Sequence, residues 1–326
     1  MQLHLTVITI VLAVLAVLGV QAHVISDDGI AHFPDMHYNM TTPFTALEKR
    51  QLRCALPKHP DIVPVTPHLG NHGWANSWDR PCRPGLWCQY ACVPGKLMHQ
   101  WDPTATAYRH PESERGGLYC GADGIARKPY PNRGYCYTAP RKVPVLNLNS
   151  KQVHICQTVL PGDEAMRIPN RVAPGHSVGL AVPGQEYWID SGAHYYVNFP
   201  GTPLNEACVW GNRNKPSGNW APYILALKLR DDGEIFVTLG WNPVWLEYAT
   251  PFRNAVPNFG VKVVCKGSGC KNTPCTIDPA VNRVNSVSHP QNQFSGAGGA
   301  SACVATADRR STIKIILFPR GKGHIY

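Results

Sequence analysis

Apolar residues recur along this chain in short runs separated by turn formers, and nowhere at sustained helical spacing. The clearest alternation is Tyr223-Ile224-Leu225-Ala226-Leu227-Lys228-Leu229. A period of two marks a strand with one buried face. Further β-type runs cover residues 143–148, 153–159, 178–182, 195–199, 235–239, 261–265, 302–305 and 313–318. Turn formers such as Pro183-Gly184 and Asp231-Asp232-Gly233 connect them. The pattern predicts an all-β fold, with a β-sandwich over 142–326. Residues 51–141 read differently. They are rich in Pro, Gly, Tyr and Trp, hold six cysteines, and show few alternating runs. That segment is expected to be loops and short strands, stapled by cystines and packed on the sandwich.

One apolar run is not a strand. Residues 7–18 carry no charge, are too short to span a bilayer, and lead into Val20-Gln21-Ala22. They read as the core of a secretory signal peptide over 1–22. Residues 23–50 end in Lys49-Arg50, a dibasic processing signal, and read as a propeptide. The first cysteine, Cys54, follows that signal, so every cysteine falls in the expected mature piece. The one Asn-x-Thr sequon, Asn39-Met40-Thr41, lies before it. The mature form is expected outside the cell, without a membrane contact.

The 12 cysteines then read as a disulfide framework of up to six bridges, with the pairing open. No Cys-x2-Cys pair offers a zinc site, and neither metal nor cofactor is expected. The formal net charge of +10 points to an anionic neighbourhood. No nucleic-acid-binding motif accompanies it, so nucleic acid is not an expected partner. An anionic extracellular polymer and a merely solvated basic surface are the other readings.

Several phrases share one order. Cys82-x5-Cys88-x3-Cys92-Val93-Pro94-Gly95 leads to Gln100-Trp101-Asp102-Pro103 and Gly116-Gly117-Leu118-Tyr119-Cys120. Ile155-Cys156-Gln157-Thr158 runs into Pro161-Gly162-Asp163-Glu164, and Ala207-Cys208-Val209-Trp210-Gly211, Gly240-Trp241-Asn242-Pro243 and Pro274-Cys275-Thr276-Ile277-Asp278-Pro279 follow. Together they resemble the fungal SUN family of secreted cell-wall and septation proteins, glycoside hydrolase family 132. The resemblance covers about residues 54–318. It implies a secreted or wall-bound protein that hydrolyses or remodels β-1,3-glucan as a glucosidase or transglycosylase. A thaumatin-like form of the sandwich and a monomer are further expectations. A non-catalytic glucan-binding protein or a secreted effector is the alternative. The chain departs from the family in lacking a long Ser/Thr-rich stretch before the domain.

Glycoside hydrolysis uses two carboxyl groups, one protonating the leaving oxygen and one attacking or activating water. The resemblance assigns no pair, so candidates come from context. Glu164 sits in a turn after an expected strand, and Asp102 lies between Trp101 and Pro103. Glu247 follows the Trp-rich stretch 241–245, and Asp278 precedes Pro279. Asp102 and Asp278 also read as Asp-Pro turns. Sugars pack their C–H faces on aromatic rings and bond their hydroxyls to amides. Trp210, Trp220, Trp241, Trp245, Tyr195 and Tyr196 are the candidate platform, with Asn242 and Asn219 as polar partners. The competing role for each ring is core filling.

Overall fold

The computed structural model describes residues 52–162, 166–288 and 293–324. The expected signal peptide and propeptide lie outside the described residues.

Among the described residues, thirteen strands form the larger part. They are β1 (Arg141–Asn147), β2 (Val153–Thr158), β3 (Met166–Val172), β4 (Ser177–Val182), β5 (Ala193–Val197), β6 (Tyr223–Leu229) and β7 (Ile235–Trp241). The rest are β8 (Phe259–Lys266), β9 (Cys270–Lys271), β10 (Cys275–Ile277), β11 (Gln293–Ser295), β12 (Ser301–Ala307) and β13 (Thr312–Pro319). One sheet of eight strands runs β3-β2-β5-β6-β7-β12-β9, with β11 also paired to β12. The other runs β4-β1-β13-β8-β10. Pairing is antiparallel except β13 with β1. The fold is all-β and disulfide-rich.

Alternation puts one face of each strand into a shared core. Tyr223, Leu225 and Leu227 of β6 meet Val261 and Val263 of β8 and Ile313, Ile315 and Leu317 of β13. Two tyrosines cross the gap. The Tyr195 hydroxyl of β5 donates to Ala181 O of β4 at 2.7 Å, and Tyr223 of β6 donates to Phe259 O of β8 at 2.9 Å. Burial pushes both phenols far above their ordinary range. The Cys275–Cys303 bridge joins β10 to β12 and so links the sheets covalently.

Strand β3 is absent from the alternation pattern. Met166-Arg167-Ile168-Pro169-Asn170-Arg171-Val172 contains a proline, which lacks the ladder N–H. The segment is an edge strand, paired only with β2, where a proline is tolerated.

Residues 52–140 form two- and three-residue strands around a separate core of Trp74, Tyr90, Met98, Leu118 and cystines. Bridges Cys54–Cys120, Cys82–Cys88 and Cys92–Cys136 stay within it. This segment packs on the sandwich end that bears the β2–β3 turn, with Val159 and Ile168 completing its core. Trp188 is one of the pins. Its indole is fully buried, donates to Ala105 O at 2.7 Å, and packs at a tilt against Tyr108. The next two residues, Ile189 and Asp190, both have positive φ (46° and 55°), a conformation disfavoured for side chains with a Cβ.

Trp188→Phe keeps most of the apolar volume but orphans the buried Ala105 carbonyl. A loss of about 1–3 kcal/mol of stability is expected, read as a lower urea midpoint at unchanged slope.

Candidate functional site

The other end of the sandwich is built of loops. The register pairs Val197 and Trp241 with Tyr223, Ala302 with Gly240, and Phe259 with Pro319. The connections after β5, before β6, after β7, before β8 and before β12 therefore gather at this end, opposite the cystine-rich segment.

Side-chain amides hold these loops. Asn242 Nδ2 donates to Asn219 O at 2.6 Å and Ala221 O at 2.7 Å, while its Oδ1 caps the short turn Pro243–Leu246 at Val244 N. Asn219 Oδ1 accepts from Gly211 N at 2.9 Å. Asn198 Oδ1 accepts from Gly218 N at 2.9 Å. Cys156–Cys208 ties β2 to the segment just before Trp210. Gly298 passes Pro243 so closely that an added Cβ would stand 3.2 Å from the proline ring, and its φ of +60° also suits glycine.

Several expected platform residues are corrected by this geometry. Tyr195, Trp241 and Trp245 are buried and present no face to solvent. Tyr195 spans the sheets, Trp241 donates to Ser286 O and packs edge-on to Tyr223, and Trp245 lies between Phe199 and Phe252. Core demand for large rings at this end wins over display. Asn242 is likewise buried and fully engaged by backbone. Trp210 remains, 38% exposed, with Trp220 half-buried beside Asn219. The sequence reading missed Tyr248, which is 89% exposed and lies under the Arg253 guanidinium at 3.7 Å.

The carboxylates also separate. Asp278 is buried. Its Oδ1 accepts from Ala280 N and Gly321 N, and its Oδ2 from Gly323 N, all at 2.8–3.1 Å. It caps the turn Pro279–Asn282 and pins the chain after β13. Asp102 is also buried and bonds Thr104 N and Oγ1, with Arg115 3.4 Å away. Both are corrected from catalytic to architectural, because each is buried and already accepts three hydrogen bonds. Glu164 lies outside the described residues. Glu247 differs from Asp102 and Asp278. It ends the Pro243–Leu246 turn, is exposed, and among the described residues its carboxylate has no hydrogen-bond or ion-pair partner. Partial desolvation by its surroundings raises its pKa above the ordinary carboxyl value. Glu206, 3.2 Å from Lys215, is the other described carboxylate at this end besides Asp278.

A second concavity was not foreseen. A cavity of about 160 Å³ in the cystine-rich segment is lined by Trp87, Asn76, Gln89, Arg80, Glu114 and Arg115 among others. Trp87 and the exposed Tyr119 face each other at 5.3 Å. Pairing of two short strands sets them there, at Trp87↔Tyr119. That pairing is non-local and carries no periodic signal.

Asp278→Ala is expected to cost about 3 kcal/mol, since three backbone donors lose a charged acceptor. Asp278→Asn, which keeps Oδ1, should cost less. Chemical denaturation of the two variants checks the order.

A family model described as Beta-glucosidase (SUN family) matches residues 49–305. The chain is 46% identical over 277 residues to "Uncharacterized protein YMR244W" of Saccharomyces cerevisiae, covering 84% of this chain and 78% of that protein. It is 44% identical over 283 residues to "Probable secreted beta-glucosidase adg3" of Schizosaccharomyces pombe, covering 86% of this chain but only 25% of that protein. Among solved structures, the thaumatin-like xylanase inhibitor TLXI aligns at a TM-score of 0.30 and 12% identity, over 55% of this chain and 100% of its own. The family match spans most of the chain, and the chain belongs to the SUN family.

Proposed function

We propose that this protein is a secreted glycoside hydrolase acting on β-1,3-glucan of the fungal cell wall, with its chemistry at the loop end of the sandwich. The observation that carries the assignment of the site is Glu247: exposed, unpaired, and raised in pKa beside a Trp-bearing loop cluster. A carboxyl that stays protonated at higher pH suits protonation of a glycosidic oxygen. Glu206 is the carboxylate left for the second role at this end. Trp210, Trp220 and Tyr248 offer ring faces to a glucan chain. Family membership supports the substrate class. Secretion is supported by the leader-like N-terminus and by six disulfides, which persist in oxidising compartments. Roles in septation and in transglycosylation are part of the same reading.

A glucan-binding protein without catalysis is the second reading. The cavity beside Trp87, with its Asn76 and Gln89 amides, favours it.

Product analysis on laminarin separates the two. Glu247→Gln should lower turnover by roughly 10²–10⁴-fold while pull-down on insoluble β-glucan is kept. Full activity in that variant overturns the assignment of Glu247. Absence of products from the wild type, with binding lost in Trp87→Ala, favours the second reading. A general acid works only while protonated. The rate should therefore fall as pH rises through the Glu247 pKa, at a pH above the ordinary carboxyl range, and a pH–kcat/KM profile reads this limb.

A further inference from the structure

The two sheets treat their lysines differently. On the eight-stranded sheet, Lys228 lies 2.8 Å from Asp190 and Lys271 lies 3.2 Å from Glu234. On the five-stranded sheet, the outward positions include Lys142 on β1, Lys262 and Lys266 on β8, and Lys314 on β13. No Asp or Glu occurs in any of its five strands. Among the described residues, Lys142, Lys266 and Lys314 have no carboxylate at ion-pair distance.

The register arranges these charges in a track. Lys262 pairs with Ile316, Val264 with Lys314 and Lys266 with Thr312. Lys314 thus stands diagonally between Lys262 and Lys266, at roughly 7–8 Å from each. Lys262 Nζ donates to Gly323 O at 3.0 Å, which brings the turn carrying Arg320 and Lys322 to the end of the track. Like charges so placed repel one another in the free protein, and a polyanion laid along them relieves that cost.

The face also indicates which polyanion. Its outward positions show no exposed aromatic ring for stacking bases, because the single ring there, Phe318, is fully buried. On β1, β8 and β13 its other apolar outward residues, Pro144, Leu146, Val264 and Ile316, are half-buried or buried and offer no wedge for a bilayer. A ring-free group of lysines on one sheet face suits an extended chain that carries anionic groups at intervals. We infer that the outer face of the five-stranded sheet docks an acidic polysaccharide, one bearing phosphate or carboxylate groups, along Lys142, Lys262, Lys266 and Lys314. This goes beyond the glucan reading and uses none of its residues.

The test is affinity electrophoresis and calorimetry of the purified mature protein with polygalacturonate and with a phosphorylated dextran, and with neutral dextran as control. Both acidic polymers should bind, neutral dextran should not, and binding should weaken steeply with added salt. The triple variant Lys142→Gln, Lys266→Gln, Lys314→Gln should lose affinity by roughly fivefold per lysine removed. Its unfolding curve and its pull-down on insoluble β-glucan should match the wild type. A control triple, Lys58→Gln, Arg83→Gln, Arg213→Gln, removes equal charge from exposed sites elsewhere and should keep most of the affinity. Equal losses in the two triples would reduce the effect to net charge and overturn the site. So would undiminished binding in the first triple. Tighter binding to a DNA duplex or to anionic vesicles than to either polysaccharide would overturn the choice of ligand.

Discussion

Loops at the end of a sandwich bring backbone N–H and C=O groups into a place where neither sheet can pair them, and burying such a group unpaired is costly. The loop end of this protein is organised by that constraint. Asn198, Asn219 and Asn242 each meet it with a side-chain amide bonded to a neighbouring loop, and Asp278 meets it with a carboxylate bonded to three N–H groups. Once these bonds are made, the loops hold fixed positions. Trp241 and Trp245 can then be driven inward as packing, while Trp210 and Glu247 are left outside. Architecture and candidate chemistry thus come from the same requirement, and it divides residues of the same type between the two.

That division explains how much was legible in the sequence. Strands such as Tyr223–Leu229 could be read because one buried face imposes a period of two. Met166–Val172 could not, because Pro169 is permitted only by the strand's edge position, a property of the assembled sheet. The aromatic platform was the least legible part. A tryptophan beside a turn is equally compatible with display and with burial, and the outcome depends on space between sheets that the local sequence does not encode. Asp278 carried a better signal, since an aspartate before a proline is a natural helix-turn cap. Glu247 drew notice through neighbouring indoles, Trp241 and Trp245, that the structure buries. The cavity around Trp87 arises from pairings between segments far apart in sequence.

Charge is divided as firmly as the aromatics. Carboxylates are absent from the strands of both sheets and gather in turns, at Asp190, Asp231, Asp232 and Glu234. Lys228 and Lys271 near those turns are paired with carboxylates, while among the described residues Lys142, Lys266 and Lys314 of the five-stranded face have none at ion-pair distance. The outer face of the five-stranded sheet thus carries lysines with no carboxylate on the strands between them.

The disulfide order has a consequence for biosynthesis. No bridge crosses the junction near residue 140, and in the second part each cysteine joins the next one along the chain: Cys156 to Cys208, Cys265 to Cys270, Cys275 to Cys303. A chain entering an oxidising compartment from its N-terminus could therefore close each of these bridges as soon as its second thiol arrived, with no earlier thiol of that part waiting unpaired. The first six cysteines, with their interleaved Cys54–Cys120 and Cys92–Cys136 bridges, would already be complete among themselves. The connectivity lets oxidation keep pace with translocation, and thiols of the two parts need never compete.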